Sequence, residues 1–220
     1  MNNWKNIWNN RDIDSITLDY LLNINGFSSE VGSFNPKSFD QYFKNIFQYV
    51  EFDRIKSCIE IGCGAGLFLY KLPSNIQKSG IDFSDQLISI AKKIIPDASF
   101  KVQDANEIST KRKYDLVFSH SVFQYFESYK YADQVLKRMN SLSKQYILIL
   151  DILDQYKYLD YLEMRKKYNG DSSSSLNHLP FKKSFFEKFG AENDLSVKIF
   201  DNSFTPNENS KFRFNVIFSR

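Results

Sequence analysis

The chain has 220 residues, of which 42% are hydrophobic and 25% charged, a composition typical of a soluble globular protein with one sizeable core. Its formal net charge is only +3 and its basic residues form short clusters, which argues against a nucleic-acid-binding surface. No apolar run reaches membrane-spanning length, no signal-peptide pattern is present, and two cysteines suit neither a disulfide framework nor a zinc site. We therefore expect a cytoplasmic protein without membrane insertion.

The N-terminal segment, residues 1–37, is polar and aromatic. Ser38 is predicted to cap a helix whose apolar side chains recur at helical spacing as far as Val50. Aromatic side chains in this part of the chain could form a lid over a binding site or simply pack in the core; they are Trp4, Trp8, Tyr20, Tyr42 and Phe43. The sequence alone leaves both uses open.

Short apolar segments and amphipathic helices alternate in the middle of the chain. The predicted strands are 57–61, 78–81, 99–102, 114–119 and 146–152. One intervening helix is predicted to begin after Ser84 and to stop at Pro96, and another is predicted over residues 127–140. This alternation is typical of a parallel sheet with helices on both faces.

The C-terminal third predicts one more helix within residues 176–189 and two alternating strands, 196–200 and 212–218. The turn-rich stretch between the two strands indicates an antiparallel pair. The predicted fold class is therefore α/β, with a Rossmann-like, doubly wound, mostly parallel sheet that ends in a C-terminal antiparallel hairpin.

A glycine-rich loop follows the first predicted strand, with the sequence Glu60-Ile61-Gly62-Cys63-Gly64-Ala65-Gly66. Alternating glycines allow a tight turn and let a ligand approach the backbone closely. The dinucleotide fingerprint needs a further Gly or Ala at position 67, where this chain has Leu67. A nicotinamide-dependent dehydrogenase is therefore disfavoured.

The loop resembles the E/D-x-G-x-G-x-G motif of class I S-adenosylmethionine-dependent methyltransferases. The matching residues are Glu60, Gly62, Gly64 and Gly66, with Cys63 inside the motif. The resemblance covers residues 38–152 well and implies S-adenosyl-L-methionine as the cofactor, bound by this loop, with no metal required. It implies one domain over residues 1–220: an N-terminal lid or acceptor-side segment (1–37), a cofactor-binding core (38–152), an acceptor-side insertion (153–195) and a terminal hairpin (196–220).

Two further acids follow predicted strands. Asp82, followed by Phe83, ends the second strand, and Asp104, followed by Ala105, comes after the third. The resemblance implies that Asp82 binds the ribose hydroxyls, since a carboxylate can accept two hydrogen bonds, and that Asp104 and the backbone of Ala105 lie at the adenine. Helix capping by Asp82 and a surface turn at Asp104 are the simpler alternatives.

The chemistry is expected at the end of the fourth predicted strand, where Ser119 lies beside the cofactor and His120 is a candidate general base with a pKa near 6–7. His178, in a predicted covering loop, is a candidate for orienting the acceptor. The alternatives are that His120 only packs against its neighbours and that His178 is a surface-loop residue.

The predicted function is methylation of a small molecule, most simply at oxygen, in sugar, cell-surface-glycan or secondary-metabolite biosynthesis. The alternatives are an RNA or protein methyltransferase and an inactive methyltransferase-like partner subunit. The predicted partner is thus a small-molecule methyl acceptor, with no nucleic acid. The sequence leaves open the identity of the acceptor, the choice between O- and N-methylation and the oligomeric state.

Overall fold

A computed structural model of the chain describes residues 17–25, 28–29, 32–33, 36–169, 178–202 and 208–220. In the order of the chain, the helices are α1 (Leu18–Ile24), α2 (Pro36–Phe47), α3 (Leu67–Lys71), α4 (Asp85–Ile94), α5 (Tyr129–Leu142), α6 (Tyr158–Asn169) and α7 (Lys183–Glu192). The strands are β1 (Ser28–Ser29), β2 (Gly32–Ser33), β3 (Ser57–Ile61), β4 (Gln77–Asp82), β5 (Ser99–Val102), β6 (Tyr114–His120), β7 (Ser143–Leu153), β8 (Ser196–Asp201) and β9 (Arg213–Ser219).

Seven strands form one sheet in the order β5-β4-β3-β6-β7-β9-β8, and β1 pairs with β2 in a separate small ladder. The pairs from β5 to β7 are all parallel, whereas β9 runs antiparallel to both of its neighbours. This topology confirms the predicted α/β fold class with its C-terminal antiparallel hairpin.

Alternate residues of the central strands point into two hydrophobic cores, one on each face of the sheet. On β3, Cys58 belongs to the core beneath α1 to α4, while Ile59 and Ile61 belong to the core beneath α5 and α7. All seven residues of β6 are buried, as expected for a strand covered on both faces. The sheet is therefore a rigid platform whose ends can carry functional side chains.

The predicted elements mostly fall where the structure has them. The strands predicted at 57–61 and 99–102 have those bounds, and Ser84 caps α4 by accepting a hydrogen bond from the backbone N–H of Leu87. The first long helix begins at Pro36 and not after Ser38. A proline suits the first position of a helix because its missing N–H would have no partner there.

The predictions are less accurate toward the two ends of the chain. The helix expected within 176–189 is α7, Lys183–Glu192, so it begins and ends later. Helices α1 and α6 were not predicted. α6 carries apolar and charged side chains all round, so it shows no helical periodicity of hydrophobic residues. Trp4 and Trp8, proposed as part of a lid, lie outside the described residues.

The chain reverses its direction of travel across the sheet after β5. Strands β4 and β5 lie on one side of β3, whereas β6 and β7 lie on the other. Open α/β sheets bind ligands at such a switch point, outside the carboxyl ends of the strands. The residues that follow β3, β4, β5, β6 and β7 therefore share one edge. In the described part of the chain, no helix is both long and apolar enough to cross a bilayer.

Candidate active site

The glycine loop after β3 has a backbone that side chains would strain. Gly62, Gly64 and Gly66 have φ angles of +73°, +53° and +82°. A Cβ on Gly62 would lie 2.4 Å from a methyl group of Val122, and a Cβ on Gly64 would lie 2.5 Å from Oδ1 of Asn25. The loop therefore requires glycine both for its conformation and for the close approach of its neighbours.

Two side chains bind the backbone N–H groups of this loop. Oδ2 of Asp82 accepts a hydrogen bond from Gly64 N (2.9 Å), and Oδ1 of Asn25 accepts one from Ala65 N (3.2 Å). Oδ1 of Asp82 also accepts from Ser84 N (2.9 Å). Because each carboxylate oxygen has two acceptor positions, Asp82 keeps capacity for a ligand hydroxyl. Asn25 caps the end of α1, so this N-terminal helix is attached to the loop.

Glu60 is the one member of the loop motif with an orphaned polar atom. Its side chain is 2% exposed, and its Oε2 has no hydrogen-bond partner among the described residues. Burial, and then the charge of Asp82, raise the pKa of Glu60 well above its ordinary value. A buried carboxyl group without a partner is costly, so this atom calls for a donor from a bound ligand.

The other residues of the predicted cofactor site occupy the same edge. Asp104 follows β5 and accepts hydrogen bonds from Asn106 N (2.8 Å) and from the hydroxyl of Tyr131. Ala105 begins the short 3-10 turn Ala105–Glu107, and the ring of Phe83 is 37% exposed beside Asp82. An exposed aromatic ring is suited to stacking on a planar ligand group.

The side chains of Cys63 and Ser119 are also buried away from solvent. The thiol of Cys63 lies in the hydrophobic core, where a Cβ on Gly80 would come within 2.7 Å of its sulfur, so only its backbone can serve a ligand. Burial raises the pKa of this thiol well above its ordinary value. Ser119, near the end of β6, is 1% exposed, and its hydroxyl has no hydrogen-bond partner in the described part of the chain.

His120 ends β6 and is held by aromatic neighbours. The hydroxyl of Tyr42, on α2, lies 2.6 Å from its Nε2, and the ring of Phe68 lies 4.3 Å from the imidazole ring between centroids. Burial lowers the pKa of His120 to about 4, with Asp151 acting in the opposite direction. The value near 6–7 expected from the sequence is therefore wrong, because the ring is buried against aromatic side chains.

A buried charged pair lies one strand further along the same edge. Asp151, near the end of β7, contacts Nη1 of Arg213, the first residue of β9, through Oδ2 (3.2 Å) and through its backbone oxygen (3.1 Å). Asn202 donates to Oδ1 (2.8 Å), and Oδ1 of Asn215 accepts from Asp151 N (2.9 Å). Burial opposes ionisation, yet Arg213 holds the pKa of Asp151 below its ordinary value.

The backbone is strained at the ends of both β6 and β7. Ser121 and Asp151 have φ angles of +56° and +60°, and the β7–β9 register shifts between Ile149 and Ile152. The two residues interact, since a hydrogen bond from Ser121 lowers the pKa of Asp151. Such a bulge redirects a side chain, and strained residues of this kind cluster at functional sites.

His178 is buried, so the surface-loop alternative is wrong. Its Nδ1 lies 3.0 Å from Nη1 of Arg165 and 3.0 Å from the hydroxyl of Tyr161, both on α6. A guanidinium group can only donate, so Nδ1 carries no proton and the neutral ring has its proton on Nε2. Burial, Arg213 and Arg165 lower the pKa of His178 to about 2.

The structure thus brings the two predicted histidines around one residue that the sequence analysis missed. Arg213 acts electrostatically on both His120 and His178, and its guanidinium lies 5.7 Å from the ring centre of Tyr161. The signal that could have identified Arg213 is the topology of the sheet. β9 runs antiparallel to β7 and therefore begins at the edge where β6 and β7 end, which places its first residue at that edge.

Part of the chain matches a model of a known protein family. A family model described as a methyltransferase domain matches residues 59–145, which run from β3 into β7 and include the glycine loop, Asp82, Asp104 and His120. In the described part of the chain, no group of three or more His, Cys, Asp or Glu side chains is arranged to hold a metal ion.

Among curated proteins, the chain is similar to malonyl-[acyl-carrier protein] O-methyltransferase 2 of Ilyobacter polytropus. The two are 28% identical over 134 residues, which is 58% of this chain and 51% of that protein. The malonyl-[acyl-carrier protein] O-methyltransferase of Priestia megaterium is 35% identical over 82 residues, 35% of this chain and 30% of that protein. The chain thus spans about half, or less, of the length of these relatives.

Among solved structures, the fold resembles magnesium protoporphyrin IX methyltransferase from Synechocystis PCC 6803 with bound SAH. The TM-score is 0.61 at 15% identity, covering 98% of this chain and 90% of that one. It also resembles the N-methyltransferase NodS from Bradyrhizobium japonicum WM9, with a TM-score of 0.63 at 14% identity, covering 84% and 98% of the two chains. At these identities the likeness concerns the fold.

Proposed function

We propose that this chain is a class I S-adenosylmethionine-dependent methyltransferase that methylates a small-molecule acceptor at oxygen, since residues 59–145 match a methyltransferase-domain model and the fold resembles that of a methyltransferase of known structure. The observation that carries the proposal is the glycine loop, whose left-handed glycines are held by Asp82 beside the unpaired carboxyl group of Glu60. An inactive relative would have no reason to keep a loop that requires glycine at three positions and a buried carboxyl group without a partner.

The residues present fit the cofactor of this class. The glycine loop has the left-handed backbone that glycine adopts without strain, and Glu60 offers an unpaired buried oxygen to a donor such as an ammonium group. Asp82 keeps free acceptor positions for ribose hydroxyls. The proposed cofactor residues are the loop members Glu60, Gly62, Cys63, Gly64 and Gly66, together with Asp82, Phe83, Asp104, Ala105 and Ser119.

When bound, S-adenosylmethionine supplies a methyl group activated on a sulfonium. The protein must orient the acceptor, exclude water and accept any proton that the acceptor loses. We assign proton acceptance to Nε2 of His120, because the ring is neutral at neutral pH, with a pKa of about 4, and Nε2 is free of a proton in the tautomer protonated on Nδ1. The hydroxyl of Tyr42 now occupies that nitrogen, and it has to yield to the acceptor hydroxyl. His178 orients the acceptor.

The segments outside the cofactor core are proposed to form the acceptor side, as divided above into residues 1–37, 153–195 and 196–220. Three contacts support this division. Asn25 of the N-terminal segment contacts the glycine loop, Arg165 and Tyr161 of α6 contact His178, and Arg213 begins the terminal strand at Asp151. Each segment therefore contributes polar side chains to the same edge of the sheet.

An oxygen acceptor is supported by the two O-methyltransferase relatives, whereas NodS is an N-methyltransferase of similar fold. A small acceptor is supported by the scattered basic residues and the net charge of +3. The competing proposal, an RNA methyltransferase, expects salt-sensitive, submicromolar RNA binding. A filter-binding assay at two salt concentrations decides between the two.

The cofactor proposal is tested by calorimetry with S-adenosylhomocysteine and with NAD. We expect binding of the former and none of the latter. Asp82→Asn should weaken S-adenosylhomocysteine about tenfold or more, since hydrogen bonds to a charged group contribute about 1.5–3 kcal/mol each. The matched control is Asp85→Asn, an exposed acid three residues further along, which should bind as the wild type does. Unchanged affinity in a folded Asp82→Asn variant would refute the assignment of Asp82.

A further inference from the structure

We propose that the methyl acceptor carries a carboxylate group and that Arg213, assisted by Arg165, binds this carboxylate. The inference rests on the proposed function, because it names the chemical class of the molecule that enters the same site. It is carried by the way in which Arg213 is buried and bonded and by the balance of charge around it.

Arg213 is more than nine-tenths buried but uses only one of its nitrogen atoms. Both of its hydrogen-bonding contacts with the described residues run from Nη1 to Asp151. Nε and Nη2 have no partner among the described residues. Neither nitrogen is among the fully buried polar atoms that lack a partner, so both keep accessible surface that a ligand can reach. The edge formed by Nε and Nη2 presents two parallel N–H groups, which is the geometry that a carboxylate accepts in a bidentate way.

The local charge does not balance without a ligand. Arg213 and Arg165 contribute two positive charges near His178, while Asp151 contributes the negative charge bonded to Arg213. Both histidines are neutral, because burial and the positive charges lower their pKa values. Among the described residues that act electrostatically on Arg213 and His178, Asp151 is the one carboxylate. A carboxylate on the ligand would balance the second positive charge.

The aromatic surroundings suit a small, enclosed anion. Both guanidinium groups lie against the ring of Tyr161, at 5.7 and 5.8 Å from its centre, and Tyr125 lies 5.2 Å from His178 between ring centres. These rings keep water away from the guanidinium groups and so strengthen their attraction for an anion. A carboxylate bound to Arg213 would lie at the strand ends that also carry His120, so the rest of the acceptor is directed to the proposed base.

The anion site can be tested before the acceptor is known. The probe is acetate, with acetamide as its neutral counterpart, added to protein saturated with S-adenosylhomocysteine. We expect acetate to shift the side-chain Nε–H resonance of Arg213, assigned by its loss in Arg213→Lys, and acetamide to leave it in place. The matched control is Arg54, which is 69% exposed and paired with Glu51. An Arg213 resonance that acetate leaves unmoved at about 100 mM, well above the millimolar affinity of a weak small ligand, would overturn the proposal.

Activity gives the second test. Hydroxycarboxylic acids, each paired with its primary amide, are offered as acceptors with labelled cofactor. We expect every acceptor to be an acid, and Arg213→Gln to raise its KM about 10–100-fold, the equivalent of one to two charge-assisted hydrogen bonds. Arg54→Gln should leave KM unchanged. A neutral amide accepted as well as its acid, or an acid preference that survives Arg213→Gln, contradicts the proposal.

Two measurements keep this test decisive. Arg213→Gln leaves the buried carboxylate of Asp151 unpaired. Where this variant does not fold, the double variant Asp151→Asn/Arg213→Gln, which removes both charges, takes its place. Binding of S-adenosylhomocysteine is measured for every variant. Loss of this binding in the wild type refutes the proposed function, whereas an intact cofactor site with no acetate response refutes only the carboxylate site.

Discussion

The hydroxyl of Tyr42 lies 2.6 Å from Nε2 of His120, although the two residues are 78 positions apart in the chain. Burial raises the pKa of Tyr42 and lowers that of His120, so both groups are neutral at neutral pH, and in the tautomer protonated on Nδ1 the imidazole accepts a hydrogen bond from the Tyr42 hydroxyl at Nε2. This hydrogen bond stabilises the neutral form of the histidine. It also fixes which ring nitrogen faces the aromatic side chains of α2.

The rate of methyl transfer should therefore be independent of pH across the neutral range. Because the pKa of His120 is about 4, almost every molecule has an unprotonated, neutral His120 above pH 6. The rate should therefore fall only as the pH approaches 4. A pH–rate profile with a step between pH 6 and 7 would contradict this reading. His120→Gln should lower turnover about 10²–10⁴-fold and leave the affinity for S-adenosylhomocysteine nearly unchanged.

Tyr42→Phe tests the hydrogen bond between Tyr42 and His120 more directly. It removes one oxygen and keeps the ring that packs on Phe39 and Phe68. Since the lost hydrogen bond favoured the neutral imidazole, the pKa of His120 should rise, and the acid limb of the pH–rate profile should move to higher pH. A limb that stays in place would show that burial alone sets the pKa of His120.

The two buried histidines should make the fold less stable in mild acid. The unfolded chain binds a proton at each histidine below its ordinary pKa of about 6.5, while the folded chain does so only near pH 4 and pH 2. Stability is therefore lost as the pH falls below about 6.5, by about 2 kcal/mol per histidine between pH 7 and pH 5. Urea unfolding at the two pH values measures this loss.

The control for that measurement is internal to the chain, which has two histidines. His120→Gln and His178→Gln should each remove about half of the histidine-dependent change, and the double variant should remove nearly all of it. A wild-type free energy of unfolding that is equal at pH 7 and pH 5, with no difference from the variants, would mean that the histidines are not buried in the neutral form.

A side chain at Gly64 should disturb the glycine loop for two separable reasons. Gly64→Ala places a Cβ 2.5 Å from Oδ1 of Asn25 and forces alanine to a φ angle of +53°, a conformation that costs about 1–2 kcal/mol. Binding of S-adenosylhomocysteine should be lost or greatly weakened. The double variant Asn25→Ala/Gly64→Ala removes the clash but keeps the backbone strain, so its stability should recover only in part. Full recovery would mean that the left-handed conformation is not required.

The pair Asp151 and Arg213 should show strong coupling in a double-mutant cycle. Removing one partner leaves a buried charge unpaired, which typically costs about 3–5 kcal/mol, whereas removing both leaves no uncompensated charge. Arg213→Gln and Asp151→Asn should therefore each destabilise the chain more than the double variant does. If the losses in free energy of unfolding, measured with urea, were additive, the two charges would not interact.

The sequence predicted the parts of this protein that depend on local pattern. Glu60 and the glycines of its loop were recognisable because a ligand-binding turn after a buried strand requires glycine at fixed spacing, and Asp82 because it ends the next strand. The sheet followed from strand–helix alternation. The predicted roles of these residues remain predictions.

The acceptor side was harder to predict because it depends on contacts between distant segments. Arg213 begins an antiparallel strand, and nothing in its neighbourhood in the sequence indicates that Asp151 will lie beside it. The sequence did not distinguish Tyr42 from the other aromatic residues of α2. Its role depends on the contact between its hydroxyl and His120, which only the packing of α2 against β6 creates. Burial, which determines the pKa of both histidines, is likewise a property of the assembled fold.

The burial of both cysteines has a practical consequence for measuring motion in this protein. Cys58 and Cys63 are the chain's two cysteines, both lie in the hydrophobic core, and burial raises the pKa of both thiols. Thiol reagents attack the thiolate, so the native protein should be almost inert to them. A single cysteine introduced at exposed Asn23, on the α1 helix that Asn25 caps, would then be the one labelled position. A fluorophore or spin label there would report directly on whether α1 leaves the glycine loop when a ligand enters.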